Sequence, residues 1–186
     1  MTCAISQAMF LLVLATAPAA GARAAIVTST DLHVHAGLAC VPKPGDAAKL
    51  AYNFSEGIRN TSTAATATVF CPVDTVPVKQ GADYVGSPQA VRVFVIDRSG
   101  AANISCTLKA IVENNGFASN NTYPVKSSAG SFSGVQILQW TAADGPIAIV
   151  NYTFRVSCTL PKASDASHQS AVQQTEVEML STLFVQ

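Results

Sequence analysis

The stretch Ala148–Cys158 reads AIVNYTFRVSC, and its alternation decides the fold. Ala148, Val150, Tyr152, Phe154, Val156 and Cys158 fall on one side of an extended chain, and Ile149, Asn151, Thr153, Arg155 and Ser157 on the other. Successive side chains of a strand point to opposite faces, so this is a strand with one buried and one mostly wet face, as antiparallel sheets have. Residues 103–112, NISCTLKAIV, repeat the pattern, with Ile104, Cys106, Leu108, Ala110 and Val112 on the apolar side. Just upstream, residues 90–97 (AVRVFVID) form a β-branched run. The turn Arg98-Ser99-Gly100-Ala101 between the two predicts a hairpin.

Weaker strands are expected at residues 31–39, 48–54, 61–70, 132–140 and 170–179. Turn chemistry separates them: Pro42-Lys43-Pro44-Gly45, Ser55-Glu56-Gly57, residues 81–88, Asn114-Asn115-Gly116 and Ala143-Asp144-Gly145-Pro146. Helical periodicity is nearly absent. About eight strands with regular turns predict an all-β fold, an antiparallel β-sandwich, with a β-barrel as the alternative. No break in composition marks a second domain.

The N-terminus reads differently. Met9–Ala20, MFLLVLATAPAA, has the length of a signal-peptide core and is too short to span a bilayer. Ala22-Arg23-Ala24 fits the A-x-A cleavage pattern, so residues 1–24 are expected to be a signal peptide and residues 25–186 a single domain. A net charge of +0 and only 12% charged residues leave no electrostatic footprint for nucleic acid or anionic lipid. No later run reaches the ~18 apolar residues of a transmembrane helix, so membrane insertion is not expected.

Five cysteines occur, and Cys3 leaves with the signal. Cys40, Cys71, Cys106 and Cys158 remain, an even set suited to two disulfides in a secreted or periplasmic protein. Gaps of 31, 35 and 52 residues do not suit a zinc site, which wants close pairs. Cys106 and Cys158 lie on the apolar faces of the two best strands. Pairing 40–71 and 106–158 is the simplest of three connectivities, and the other two stay open.

The runs Cys40-Val41-Pro42, Thr66–Val73 (TATVFCPV), Ser105–Leu108 (SCTL) and Ser157–Pro161 (SCTLP) resemble those of small exported four-cysteine bacterial proteins of unknown function. The resemblance covers about residues 38–162. It implies an exported, disulfide-bonded fold and brings no activity.

Candidate chemistry is sparse. Asp31, His33 and His35 share one face of an extended segment, a spacing that can hold Zn or Cu; a polar face near the mature terminus is the plainer reading. Glu176 and Glu178 share a face as glycosidase carboxylates do, but a solvated face explains them as well. Gly130-Ser131-Phe132-Ser133-Gly134 has Phe132 where a nucleophile elbow needs Ser. Asp165, Ser167 and His168 have triad residue types but sit too close in sequence for triad geometry. Trp140, Tyr52, Tyr84, Tyr123 and Tyr152 are the aromatics that could stack on a sugar, with core packing the default. No catalytic residue, metal or cofactor is therefore expected. The leading expectation is a non-catalytic binding or structural role, with a surface glycan or protein as partner. A secreted hydrolase built on His33, His35 or His168 and a carbohydrate-binding module are the alternatives.

Overall fold

A computed structural model describes residues 25–73, 84–100, 102–114, 117–130, 134–145 and 152–185. The expected signal peptide and the first four residues of AIVNYTFRVSC lie outside them. Twelve strands are described. They are β1 (Ala25–Ala36), β2 (Val41–Pro42), β3 (Leu50–Asn53), β4 (Gly57–Asn60), β5 (Ala67–Val73) and β6 (Tyr84–Ile96). The rest are β7 (Ser105–Asn114), β8 (Phe117–Thr122), β9 (Lys126–Ser127), β10 (Val135–Thr141), β11 (Tyr152–Leu160) and β12 (Ala171–Val185).

They form two antiparallel sheets. Sheet A runs β10-β6-β12-β4-β3, with β1 also on β12; sheet B runs β2-β5-β11-β7-β8, with β9 also on β7. Neither sheet closes on itself, so the sandwich reading holds and the barrel does not. No helix among the described residues is long and apolar enough to cross a membrane.

Alternation builds the core from both sheets. Val69, Cys71, Phe154, Val156, Cys158 and Leu160 of sheet B and Val91, Val93, Val95, Trp140 and Val177 of sheet A are all buried. Burying a side chain of this size stabilises the fold by roughly 1.5–3 kcal/mol each, before the entropy of ordering it. Trp140 keeps its indole satisfied by donating Nε1–H to Pro124 O at 2.7 Å. Both disulfides form with the simplest pairing, Cys40–Cys71 and Cys106–Cys158. Each lies within sheet B: Cys106 and Cys158 are direct cross-strand partners, and Cys40 adjoins β2, which pairs with β5.

The expected hairpin does not form. β6 belongs to sheet A and β7 to sheet B, so the chain passes from one layer to the other between Ile96 and Ser105 instead of reversing within one. The cause is Asp97, which is fully buried. One carboxylate oxygen accepts from Ser99 N–H at 3.1 Å and Ser170 Oγ–H at 2.9 Å. The other accepts from Ile104 N–H at 3.1 Å and from Ser128 Oγ–H. The groups bound lie beside β7, β9 and β12, so a single acid joins the ends of both layers.

The strand expected at 61–70 is also corrected. β4 ends at Asn60 and β5 begins at Ala67. Asn60 is buried; its Oδ1 accepts from Ser62 N–H, and its amide donates to Ala65 O and Pro161 O. A local turn thus replaces the ladder. The turn expected over 81–88 is strand from Tyr84 onward, and residues 81–83 lie outside the described residues. Residues 37–39 and 47–49 are 3-10 turns, not strand. On β12 one edge serves two partners, β4 as far as Val172 and then β1 from Gln174, and at the same place the ladder of β12 with β6 shifts register. Gly37 and Gly57 close on that shift. A Cβ at either would lie 2.1 Å from Val172 O, so both positions require glycine.

Candidate functional site

The segment Gly37–Pro42 leaves β1 in sheet A and enters β2 in sheet B, and a shallow groove lies on each side of it. The first holds about 270 Å³ and is lined by Leu38, Tyr52 and Phe54. Tyr52 is 53% exposed and Phe54 is 98% exposed. Both line the groove, Tyr52 from β3 and Phe54 from the turn that follows it.

These aromatics are held in place. Tyr52 Oη–H donates to Cys40 O at 3.1 Å, which ties β3 to the disulfide-bonded segment. Phe54 sits on the tip between β3 and β4. There Asn53 Oδ1 accepts from Ser55 N–H at 2.9 Å, and Gln173 Nε2–H donates to Ser55 O at 3.2 Å. Glu56 makes a two-pronged ion pair with Arg98, at 2.8 and 3.1 Å. Those hydrogen bonds hold the Glu56 carboxyl below its usual range against the opposing effect of burial.

The second groove holds about 380 Å³ and is lined by Ala39, Val41, Phe70, Pro72, Thr153 and Arg155, among others. The Arg155 guanidinium stacks over the Phe70 ring, 3.7 Å from its centroid.

The residues singled out in the sequence go elsewhere. His33 and His35 stand on β1 opposite Val177 and Thr175, half-buried on a regular strand and not on a loose end. The side chain of Asp31 lies outside the described residues. Glu176 is buried at 8% exposure and Glu178 is half-buried, so the solvated reading fails for this pair. One guanidinium, Arg92, binds both: Glu176 at 2.6 Å, and Glu178 in a closer contact. The pair thus forms a three-residue ion cluster with Arg92 on the outer ladder of sheet A.

Asp165, Ser167 and His168 do meet, in an exposed loop. Both the Asp165 carboxylate (2.8 Å) and Ser167 Oγ (3.1 Å) approach the same imidazole atom, Nδ1, and Ser167 Oγ–H donates to Asp165 at 2.6 Å. A triad needs the hydroxyl on one ring nitrogen and the carboxylate on the other, whereas here both crowd Nδ1 and the hydroxyl donates to the carboxylate. Hydrogen bonds from Ser167, with His168 adding to them, hold Asp165 far below the usual carboxylate range.

Of the aromatics, Trp140 and Tyr123 are buried, Tyr84 and Tyr152 have side chains outside the described set, and Tyr52 is exposed. Sequence reasoning missed Phe54. Its signal was an aromatic residue inside the turn-rich run Asn53-Phe54-Ser55-Glu56-Gly57, where no core position is available.

No family model matches this sequence, and neither does any curated protein. The enzymatically active domain of tailspike protein 4 from bacteriophage CBA120 is 8% identical with a TM-score of 0.35, over 86% of this chain and 19% of that one. Dimeric latent PorU from Porphyromonas gingivalis is 16% identical with a TM-score of 0.35, over 86% and 14%. Carbohydrate-binding modules of the β-sandwich superfamily are 9% identical with a TM-score of 0.34, over 87% and 57%. This chain spans less than two thirds of each of them. Likenesses this distant carry no argument about what it does.

Proposed function

We propose that this chain is an exported, non-catalytic binding protein whose ligand is a surface glycan, contacted through Phe54, Tyr52 and Leu38. The observation that supports the reading is Phe54, 98% exposed on a tip held by hydrogen bonds and an ion pair. A large apolar side chain in water contributes nothing to folding, and a rigid tip presents it without an ordering cost on binding. Aromatic faces beside a shallow groove stack on sugar rings, and the carboxylates of Glu176 and Glu178 are both engaged by Arg92.

The mature chain, residues 25–186, is expected to bind a subset of a glycan array. Phe54→Ala combined with Tyr52→Phe should weaken that binding at least tenfold and shift the melting temperature by no more than about 4 °C, the main structural loss being the hydrogen bond from Tyr52 to Cys40 O. Binding that survives the double substitution unchanged would remove this surface from the function. Export itself is checked by N-terminal sequencing of material recovered outside the cytoplasm. The expected start is Ala25, and an intact Met1 terminus would refute the signal peptide.

A further inference from the structure

The outer face of sheet B carries two cations, Lys109 and Arg155, that make no ion pair among the described residues. Lys109 on β7 and Arg155 on β11 are direct cross-strand partners, and both are exposed. Like charges placed directly opposite one another destabilise a sheet. Neither makes an ion pair among the described residues, whereas Arg92, Arg98, Lys49 and Lys126 all do. In the strands of sheet B the only acidic residue is Glu113, near the far end of β7.

Arg155 is also pre-positioned. Its guanidinium carbon sits over the Phe70 ring, 3.7 Å from the centroid, and this contact holds beside the groove a group whose N–H fork suits an oxyanion. The 380 Å³ groove opens beside it. Hydroxyls from Thr153, Ser157, Thr159 and Thr107 alternate along the same strands, on the side opposite the buried positions.

We propose that Arg155 and Lys109 form a binding site for the acidic groups of an anionic polysaccharide, its rings lying along the hydroxyl-bearing face of sheet B. The proposal rests on the glycan-binding reading above and adds the ligand's charge and a second contact surface. A paired cation site on a flat, hydroxyl-lined sheet face suits a ring polymer with regularly spaced acids. An extended peptide would instead seek the backbone groups of a sheet edge.

The test uses the oxidised mature chain in affinity electrophoresis through gels containing polygalacturonate, dextran sulfate, poly-L-glutamate or neutral dextran. Retardation is expected by polygalacturonate or dextran sulfate, the two arms separating carboxylate from sulfate, and it should weaken as salt rises. Arg155→Ala and Lys109→Ala should each weaken it at least fivefold, and Arg155→Lys should restore it only in part because lysine cannot offer the planar edge. Melting curves of both variants should match the parent. Stronger retardation by poly-L-glutamate, or retardation untouched by either substitution, would overturn the site. If glycan binding is lost with Phe54→Ala but never responds to Arg155 or Lys109, this inference fails while the broader reading stands. If no glycan of either kind binds, both fail.

Discussion

Asp97→Ala is expected to lower the unfolding free energy by about 4 kcal/mol, a large share of the roughly 5–15 kcal/mol that a domain has. The buried carboxylate accepts from two backbone N–H groups and two serine hydroxyls, and no apolar side chain can replace it. Its removal takes the acceptor from these buried donors, of which Ile104 N–H keeps Ser128 Oγ at 2.8 Å, and each donor left unsatisfied costs about 1–3 kcal/mol. The corresponding fall in melting temperature is on the order of 10 °C for a chain of this size. Asp97→Asn keeps the shape but turns one acceptor into a donor facing other donors, so an intermediate loss of about 2 kcal/mol is expected. Chemical denaturation of the parent and both variants decides the matter. An alanine variant within 1 kcal/mol of the parent would show that water or a rearranged corner takes over the role.

Removing the disulfides should separate two kinds of damage. In the loop-entropy model each bond stabilises the fold by roughly 4 kcal/mol. Cys106–Cys158 joins β7 and β11, whose ladder runs from Tyr152 to Thr159 through the middle of sheet B. The double substitution Cys106→Ala/Cys158→Ala should therefore reduce global stability by about that amount. Cys40–Cys71 instead anchors a two-residue strand and the segment whose carbonyl receives the Tyr52 hydroxyl. With Cys40→Ala/Cys71→Ala, hydrogen exchange in residues 37–42 and 50–54 should accelerate, and binding through Phe54 should weaken. Equal melting curves for parent and both double variants would contradict the first expectation. Unchanged exchange in those two segments would contradict the second.

The parts of the fold that were legible are the ones in which a long strand has one dry face. β11 and β7 alternate over enough residues for the period of two to be read, and the core-facing places of Cys106 and Cys158 made their pairing the natural choice. Strands of two to six residues, β2, β4, β8 and β9, are too short to carry a period. The hairpin failed for a different reason. Arg98-Ser99-Gly100-Ala101 has the composition of a reversal within one sheet, and what makes it a corner is the capture of Asp97 by Ser128 and Ser170, 31 and 73 residues away. Local chemistry cannot show a non-local donor. The Arg155–Lys109 pair was hidden likewise, since only the register of β11 on β7 brings the two cations together.

The pairing of β1 with β12 places Ala25 directly opposite Val185. Tension applied through these two residues would pull at the same end of one ladder and peel it rung by rung, a geometry that yields at lower force than sliding whole strands past each other. The peeling begins in sheet A, which has no covalent cross-link among the described residues. It cannot run through the chain. The loops closed by Cys40–Cys71 and Cys106–Cys158, with sequence separations of 31 and 52, together withhold about 280 Å of extended length. A molecule tethered at both positions would therefore lengthen in its first sheet while the cross-linked parts of its second stayed short.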